Sequence, residues 1–484
     1  DKDRPKSEPK KERKESSKLS EKGSLGLDGN AKGKMKKKEA QAMVLSDLPK
    51  PAVKGAGERV LEVAWDEETL RAKYVWTGPA ANGGRHHIRP CPHEPVRVRR
   101  HSKDAVYENE GKVMYSHMAM IAELPVGSLW DLIVCWQASF ELEGTTTQHL
   151  RCALSKEMAR SWEPSMELPV RRGDVAELPV WAPVLHLVNP RELLLIYAQT
   201  MPHACQRDTF GGYTRYQAGG SIMLTRTLDG VRFAKPEMLL EQKPTDFRPK
   251  VVANRIEVNS WTGSLVLPYW ETAPYSRGPC GGLAAEHNLT TSAGVLVSRD
   301  LGGTWEPRGS LVAKDLRRSA LIEGTIVSLA SSELYQLFRT SAGSLYASSS
   351  FDDGLTWSMP INTELPNPNA KVALTAYNQG ENVILAFNDH LSQRRELSIA
   401  VANVSSAAGK QASSATTVSP DGWTWTRLTV LEHGRSHWAF HYPTLLTAGC
   451  HFYCVFSSGA FDDNGNHLSS PNVGGIFIDD LSLV

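Results

Sequence analysis

Ser298-Arg-Asp300-Leu-Gly302-Gly-Thr304-Trp305 and Ser350-Phe-Asp352-Asp-Gly354-Leu-Thr356-Trp357 match one pattern, S-x-D-x-G-x-T-W, at every fixed position. The pattern describes a tight turn. An Asp carboxylate accepts hydrogen bonds from the turn amides, Gly takes a backbone conformation that a side chain resists, and Trp packs against the turn. Each copy follows a short apolar run, Gly294–Ser298 and Ser344–Ser349. Ser155-Lys-Glu157-Met-Ala159-Arg-Ser161-Trp162 is a worn copy, and Thr225–Phe233 and Ser419–Trp425 are more worn still. One kind of turn recurring after one kind of strand marks a repeat fold.

Outward from these turns the chain reads as six triplets of strand-length runs with almost no helical periodicity. They are His117–Ala122, Leu132–Ala138 and Thr147–Leu154; Pro183–Leu187, Leu193–Ala198 and Ser221–Thr225; and Val251–Val258, Ser264–Tyr269 and Gly294–Ser298. The other three are Leu321–Leu329, Leu334–Phe338 and Ser344–Ser349; Val372–Ala376, Val383–Phe387 and Leu397–Val404; and Tyr442–Leu446, His451–Phe456 and Gly475–Asp479. A fourth, outer strand completes each triplet, so the expected fold is all-β: a six-bladed β-propeller, a closed ring that hides most sheet edges. Blades should begin near Tyr115, Trp181, Phe247, Ala320, Asn369 and His441. Arg59–Trp65 is expected to supply the outer strand that closes blade six, and residues 70–110, rich in Arg, His and Pro, read as a loop excursion.

Charge separates a head from this body. Residues 1–40 hold 14 basic and 8 acidic residues, and the remaining chain holds 40 basic and 45 acidic. The propeller is assigned to 46–484. The Lys-rich segment 1–45, nearly free of aromatic and β-branched residues, cannot bury enough apolar surface to order itself and is expected to be a disordered spacer. The balance of the body argues against nucleic acid as a partner. No run of 18 apolar residues exists, so no membrane span is expected. The stretch starts with Asp1 rather than Met, which leaves room for an upstream signal or anchor. Two N-glycosylation triplets, at Asn288 and Asn403, point to a secretory route. Seven cysteines show no zinc-type spacing, but Cys135 and Cys152 fall on neighbouring strands where a disulfide could form. The His86-His87 and His437/His441 pairs are polar surface rather than ligands, so no metal and no cofactor is expected. A monomer is expected.

With two intact turns of this kind in such a repeat, the chain resembles the sialidase (neuraminidase) superfamily, and within it the BNR-repeat branch found in bacteria, algae and plants. The S-x-D-x-G-x-T-W turn is that superfamily's Asp-box, a structural feature away from the active site. The branch's motifs appear as Ser116-His117-Met-Ala-Met-Ile, Glu143-Gly144, Asn367-Pro368-Asn369 and His441-Tyr442-Pro443. The similarity covers about residues 110–460. The boxes specify fold rather than function, because binding propellers carry them too.

Aligning inner strands gives one funnel-mouth position per blade: His117, Trp181, Arg248, Glu323, Asn369 and Tyr442. The second strands end on Gln137, Gln199, Glu271, Arg339, Asn388 and Ser457. Both rings are polar and differ in every blade. The resemblance implies Tyr442 as nucleophile with Glu323 as its base. A neutral phenol avoids the repulsion that an anionic nucleophile would meet at an anomeric carbon bearing a carboxylate. Arg339 and Arg395 match the family's second and third substrate-carboxylate arginines, and a planar guanidinium suits a carboxylate. The first is missing: His117-Met-Ala stands where a sialidase has Arg-Ile-Pro, and Arg248 is the candidate substitute. The acid/base belongs on the loop after Gln137, where Glu143, with Glu141 nearby, fits the branch's Glu-Gly. His117, Trp181, Arg248, Glu271, Asn369 and Asn388 complete the expected substrate-binding set. The expected activity is exo-glycoside hydrolysis of a terminal, acidic sugar on a glycan or glycoconjugate. The alternatives are a non-catalytic carbohydrate-binding propeller and a uronate polysaccharide lyase.

Overall fold

In the computed structural model, residues 60–66, 71–77, 97–171, 177–245, 247–274, 290–313, 319–404, 416–434, 437–448, 451–460 and 474–484 are described. The Lys-rich segment 1–45, His86-His87, the Asn288 triplet and Cys91, Cys280 and Cys450 lie outside them.

The described residues form an all-β, six-bladed propeller, as the triplets imply. From inner to outer strand, blade one is Tyr115–Glu123, Leu132–Ser139, His149–Lys156 and Ser161–Trp162. Blade two is Val180–Asn189, Glu192–Gln199, Ser221–Thr227 and Glu237–Leu240. Blade three is Lys250–Val252, Leu265–Glu271, Ser292–Ser298 and Glu306–Leu311. Blade four is Ile322–Ser328, Leu334–Arg339, Ser344–Ser350 and Ile361–Pro366. Blade five is Ala373–Tyr377, Asn382–Phe387, Glu396–Asn403 and Thr424–His433. Blade six is Trp438–Ala448, His451–Ala460, Gly475–Leu483 and Val98–Glu108.

The closing strand corrects the sequence reading. Val60–Asp66 pairs with Arg71–Thr77 in a separate hairpin, and the outer strand of blade six is Val98–Glu108, from within the supposed loop excursion. An outer strand has only part of its surface covered, so it carries none of the continuous apolar runs that mark the inner ones. Its charges fasten it instead. Arg100 Nη2 donates to Glu432 Oε1 at 2.7 Å and to Asp479 Oδ2 at 2.8 Å, and Lys103 Nζ reaches Glu432 Oε2 at 2.6 Å.

Apolar side chains fill the space between blades, with Trp136, Tyr335, Phe338 and Phe456 of second strands and Trp425 of the outer strand of blade five among the most buried. Cys135 and Cys152, paired across the second and third strands of blade one, are joined by a disulfide. Cys205 is disulfide-bonded as well, and Cys454 is a buried free thiol. Both intact boxes close as their chemistry requires. Asp300 Oδ1 accepts from Thr304 N at 2.8 Å, and Asp352 Oδ1 from Thr356 N at 2.8 Å. Trp305 and Trp357 donate their indole N–H groups to Gly302 O and Gly354 O.

Candidate functional site

Second strands end, and inner strands begin, at the same end of the ring, and the box turns lie at the other. At this mouth the inner strands share a local distortion. Ladder register shifts between His117 and Met120, Ile322 and Thr325, and His441 and Thr444, and opposite Trp181–Val184. Such β-bulges re-aim side chains. The bulged residues are left-handed without being glycine: Met118 (φ 61°), Ala182 (39°), Glu323 (49°) and Tyr442 (59°), with Asn369 (55°) at the same place before the blade-five strand. Left-handed backbone costs an L-residue about 1–2 kcal/mol. The register also shifts the inner ring by one position in blades one and two: Met118 and Ala182, not His117 and Trp181, match Glu323 and Tyr442.

Side-chain amides from the preceding blade brace three of these bulges. Gln137 Oε1 of blade one accepts from Ala182 N at 2.9 Å. Asn254 Nδ2 donates to Glu323 O at 2.8 Å, and Asn388 Nδ2 to Phe440 O at 2.7 Å. Asn388 is fully buried, with its amide also on Glu396 O, so the structure places it in the wall of the mouth.

Glu323, Arg339 and Tyr442 come together. Arg339 Nη1 lies 2.8 Å from each carboxylate oxygen of Glu323 and donates to the Tyr442 hydroxyl, while its Nε donates to Asn369 Oδ1 at 2.8 Å. Glu323 and Tyr442 form no direct hydrogen bond among the described residues. Arg339 bridges them. Burial raises the Tyr442 phenol, the Arg339 and Arg394 charges oppose that rise, and the Glu323 and Glu143 carboxylates add to it. Burial disfavours the Arg339 cation, but the Glu323 carboxylate and Tyr442 outweigh that and hold it more firmly charged than usual.

The guanidinium 5.3 Å from the Tyr442 ring centroid belongs to Arg394, where the sequence pointed to its neighbour Arg395. Arg394 also donates to Asn369 O. In an extended segment adjacent side chains point to opposite sides, so choosing between two consecutive arginines needs the register. His117 packs on the Tyr442 ring at 4.0 Å between centroids and on His441 at 4.8 Å. Arg248 pairs with Glu271 at 3.0 Å, and the buried Lys250 reaches the same carboxylate at 3.5 Å.

Glu143 accepts from Gln137 Nε2 at 3.0 Å, and that nitrogen also reaches Tyr115 OH at 3.3 Å. Glu141 faces Thr147 at 3.3 Å within its own loop. Gly144 explains the Glu-Gly pair. It is left-handed (φ 85°), and a Cβ there would lie 2.9 Å from Tyr216 O and 3.1 Å from the Trp181 ring. Trp181 itself donates to Thr200 Oγ1 at 2.8 Å and joins Met118, Val251, Trp270, Phe338 and Tyr442 in one buried apolar cluster. A polar, charged rim over an aromatic floor can hold a sugar, which offers hydroxyls at its edge and C–H groups on its face.

Two functional candidates escaped the sequence reading: Arg394, and Lys371, which is fully buried beneath the site. Lys371 had a signal. It is a lone charge in the apolar stretch Ala370-Lys-Val-Ala-Leu374, which leads into the inner strand of blade five.

Residues 131–454 match the family model for the BNR repeat-like domain. No curated protein matches the chain in sequence. Among solved structures, a Dyadobacter fermentans protein of unknown function superposes with a TM-score of 0.55 at 14% identity, over 80% of this chain and 99% of that one. The intramolecular trans-sialidase from Ruminococcus gnavus gives 0.53 at 13% identity, over 77% and 96%. The NanB sialidase from Streptococcus pneumoniae gives 0.54 at 12% identity, over 78% and 70%. At these identities the likeness is one of fold.

Proposed function

The chain belongs to the BNR repeat-like domain family, and on that premise we propose that it is a sialidase-like exo-glycosidase acting on a terminal sugar with an anionic group. The observation that carries this reading is the Arg339 guanidinium in contact with both the Glu323 carboxylate and the Tyr442 hydroxyl. An unperturbed phenol, pKa about 10, is a poor nucleophile at neutral pH. A cation at its oxygen favours the phenolate, and a neighbouring carboxylate can take its proton. Arg339 and Arg394 are the groups that meet the anionic substituent. When Arg339 turns toward it, Glu323 is left to receive the phenol proton. The Tyr442 oxygen then bonds to the anomeric carbon as the glycosidic bond breaks, and Glu143 gives its proton to the leaving oxygen. Water, deprotonated by Glu143, attacks the anomeric carbon and releases the sugar, and Glu323 returns its proton to the departing Tyr442 oxygen.

The test is a panel of aryl glycosides of acidic and neutral sugars. Tyr442→Phe and Glu323→Gln should each lower kcat by about a thousandfold or more while the folded protein still binds sugar. Full activity in Tyr442→Phe defeats the mechanism. One observation favours a second reading, a carbohydrate-binding propeller: Glu323 and Tyr442 have no hydrogen bond of their own. Sugar binding with no turnover across the panel would establish that reading, and a product absorbing through a new double bond would establish a uronate lyase.

A further inference from the structure

Tyr442 is left-handed (φ 59°) and precedes Pro443. A bulky residue is strained there, and a following proline ring restricts it further. Such a conformation persists only where its surroundings over-determine it. Asn388 holds the upstream side through Phe440 O. On the downstream side is Lys371, whose Nζ donates to Pro443 O and to Thr444 Oγ1 at 3.1 Å. Thr444 Oγ1 donates in turn to Ala119 O at 2.8 Å, next to the left-handed Met118. One chain of hydrogen bonds thus runs from blade five through the Tyr442 bulge of blade six to the bulge of blade one, across the seam where the ring closes.

An ammonium with no exposed surface is expensive to keep charged. Burial lowers Lys371 to about 8, against the upward pull of the Glu323 carboxylate and Cys454. A methionine would fill that space without this penalty, so the cost must be offset by what the ammonium holds. Its two acceptors belong to the two residues that follow Tyr442.

We propose that Lys371 is a positioning residue for Tyr442: its clamp on Pro443 O and Thr444 Oγ1 holds the left-handed turn that aims the phenol at Arg339 and Glu323. The inference rests on Tyr442 being the reacting group, but its geometric part can be tested without turnover. Tyrosine labelled with ¹³C at Cζ reports each phenol by NMR, and Tyr442→Phe assigns the Tyr442 signal. In Lys371→Met the Tyr442 signal and its titration midpoint should move, while tyrosines far from the mouth, such as Tyr335, stay in place. On any glycoside the wild type turns over, kcat should fall about tenfold or more with KM within about twofold. A lower melting temperature with an unmoved Tyr442 signal makes Lys371 a structural residue and overturns the proposal. If Lys371→Met does not fold, Thr444→Val removes one acceptor of the clamp. A smaller shift of the Tyr442 signal then supports the proposal, and an unmoved signal overturns it. If no glycoside is turned over, the proposed function fails, and the signal still decides whether Lys371 positions the phenol.

Discussion

At the back of blade four Gly354 adopts φ 80°, and at the mouth of the same blade Glu323 adopts φ 49°. Both are left-handed, but they are held differently. Gly354 lies inside the box that runs from Ser350 to Trp357, and Ser350 Oγ, within that octet, accepts from its amide at 3.0 Å. Glu323 has a large side chain, and its contacts come from Asn254 of blade three and Arg339 of the next strand. The box turn closes through contacts within its own eight residues, and the blade-three residues Asn259 and Ser264 fasten it from outside by donating to the carboxylate of its left-handed Asp353. The mouth places bulky, charged residues in a strained conformation and depends on neighbouring blades to hold them there. Left-handed non-glycine residues also occur at the back, among them Leu301 (φ 55°) and Asp353 (φ 61°) within the boxes, but those at the mouth, Glu323 and Tyr442, carry the side chains of the candidate site, and strain at such a place fits a preorganised site.

If the mouth is held by distant partners, cutting one partner should do the most damage. Arg339→Met keeps much of the side-chain volume but leaves the buried Glu323 carboxylate without its cation. Removing one member of a buried ion pair costs about 3–5 kcal/mol. Urea denaturation should show a loss of that size. A variant as stable as the wild type would mean that Glu323 finds another partner, and the contrast between mouth and back would weaken.

The back should respond more modestly. In Gly354→Ala the new Cβ would sit 2.6 Å from Val295 Cγ2, so the methyl must shift, and an alanine must take the left-handed backbone. The expected loss is about 2 kcal/mol, read from the same denaturation curve. A neutral outcome would show that the box does not need its glycine.

The same contrast explains what the sequence disclosed. The boxes were legible because every group that closes them lies within eight residues. The six triplets were legible because inner strands are buried on both faces and therefore apolar. Val98–Glu108 was not, because an outer strand held by Arg100 and Lys103 resembles a loop until Glu432 and Asp479 are placed beside it. At the site, Glu323, Arg339 and Tyr442 converge as the aligned triplets implied. The proximity of Arg394 rather than Arg395 to Tyr442 depends on which way adjacent side chains alternate, and the one-residue offset at Met118 and Ala182 follows from bulges. A bulge moves side chains by one position, and it is fixed by partners in another blade, such as Gln137 for Ala182. Apolar periodicity does not record that.

The smallest effect gives the finest test. Ala182 is left-handed (φ 39°) at the mouth of blade two, buried, and braced through its own amide by Gln137 Oε1. Ala182→Gly keeps that amide and its hydrogen bond. It loses one buried methyl, about 0.8 kcal/mol, and gives the unfolded chain more freedom, worth about 0.4–1 kcal/mol. It also relieves an L-residue of left-handed backbone, a gain of about 1–2 kcal/mol. These nearly cancel, so stability should stay within about 0.5 kcal/mol of the wild type, although Gly-for-Ala in an ordinary strand is destabilising. The urea midpoint measures it. A loss of 2 kcal/mol or more, comparable to Gly354→Ala, would mean that Ala182 carries no strain and that the Gln137 brace does not hold the mouth against its backbone preference.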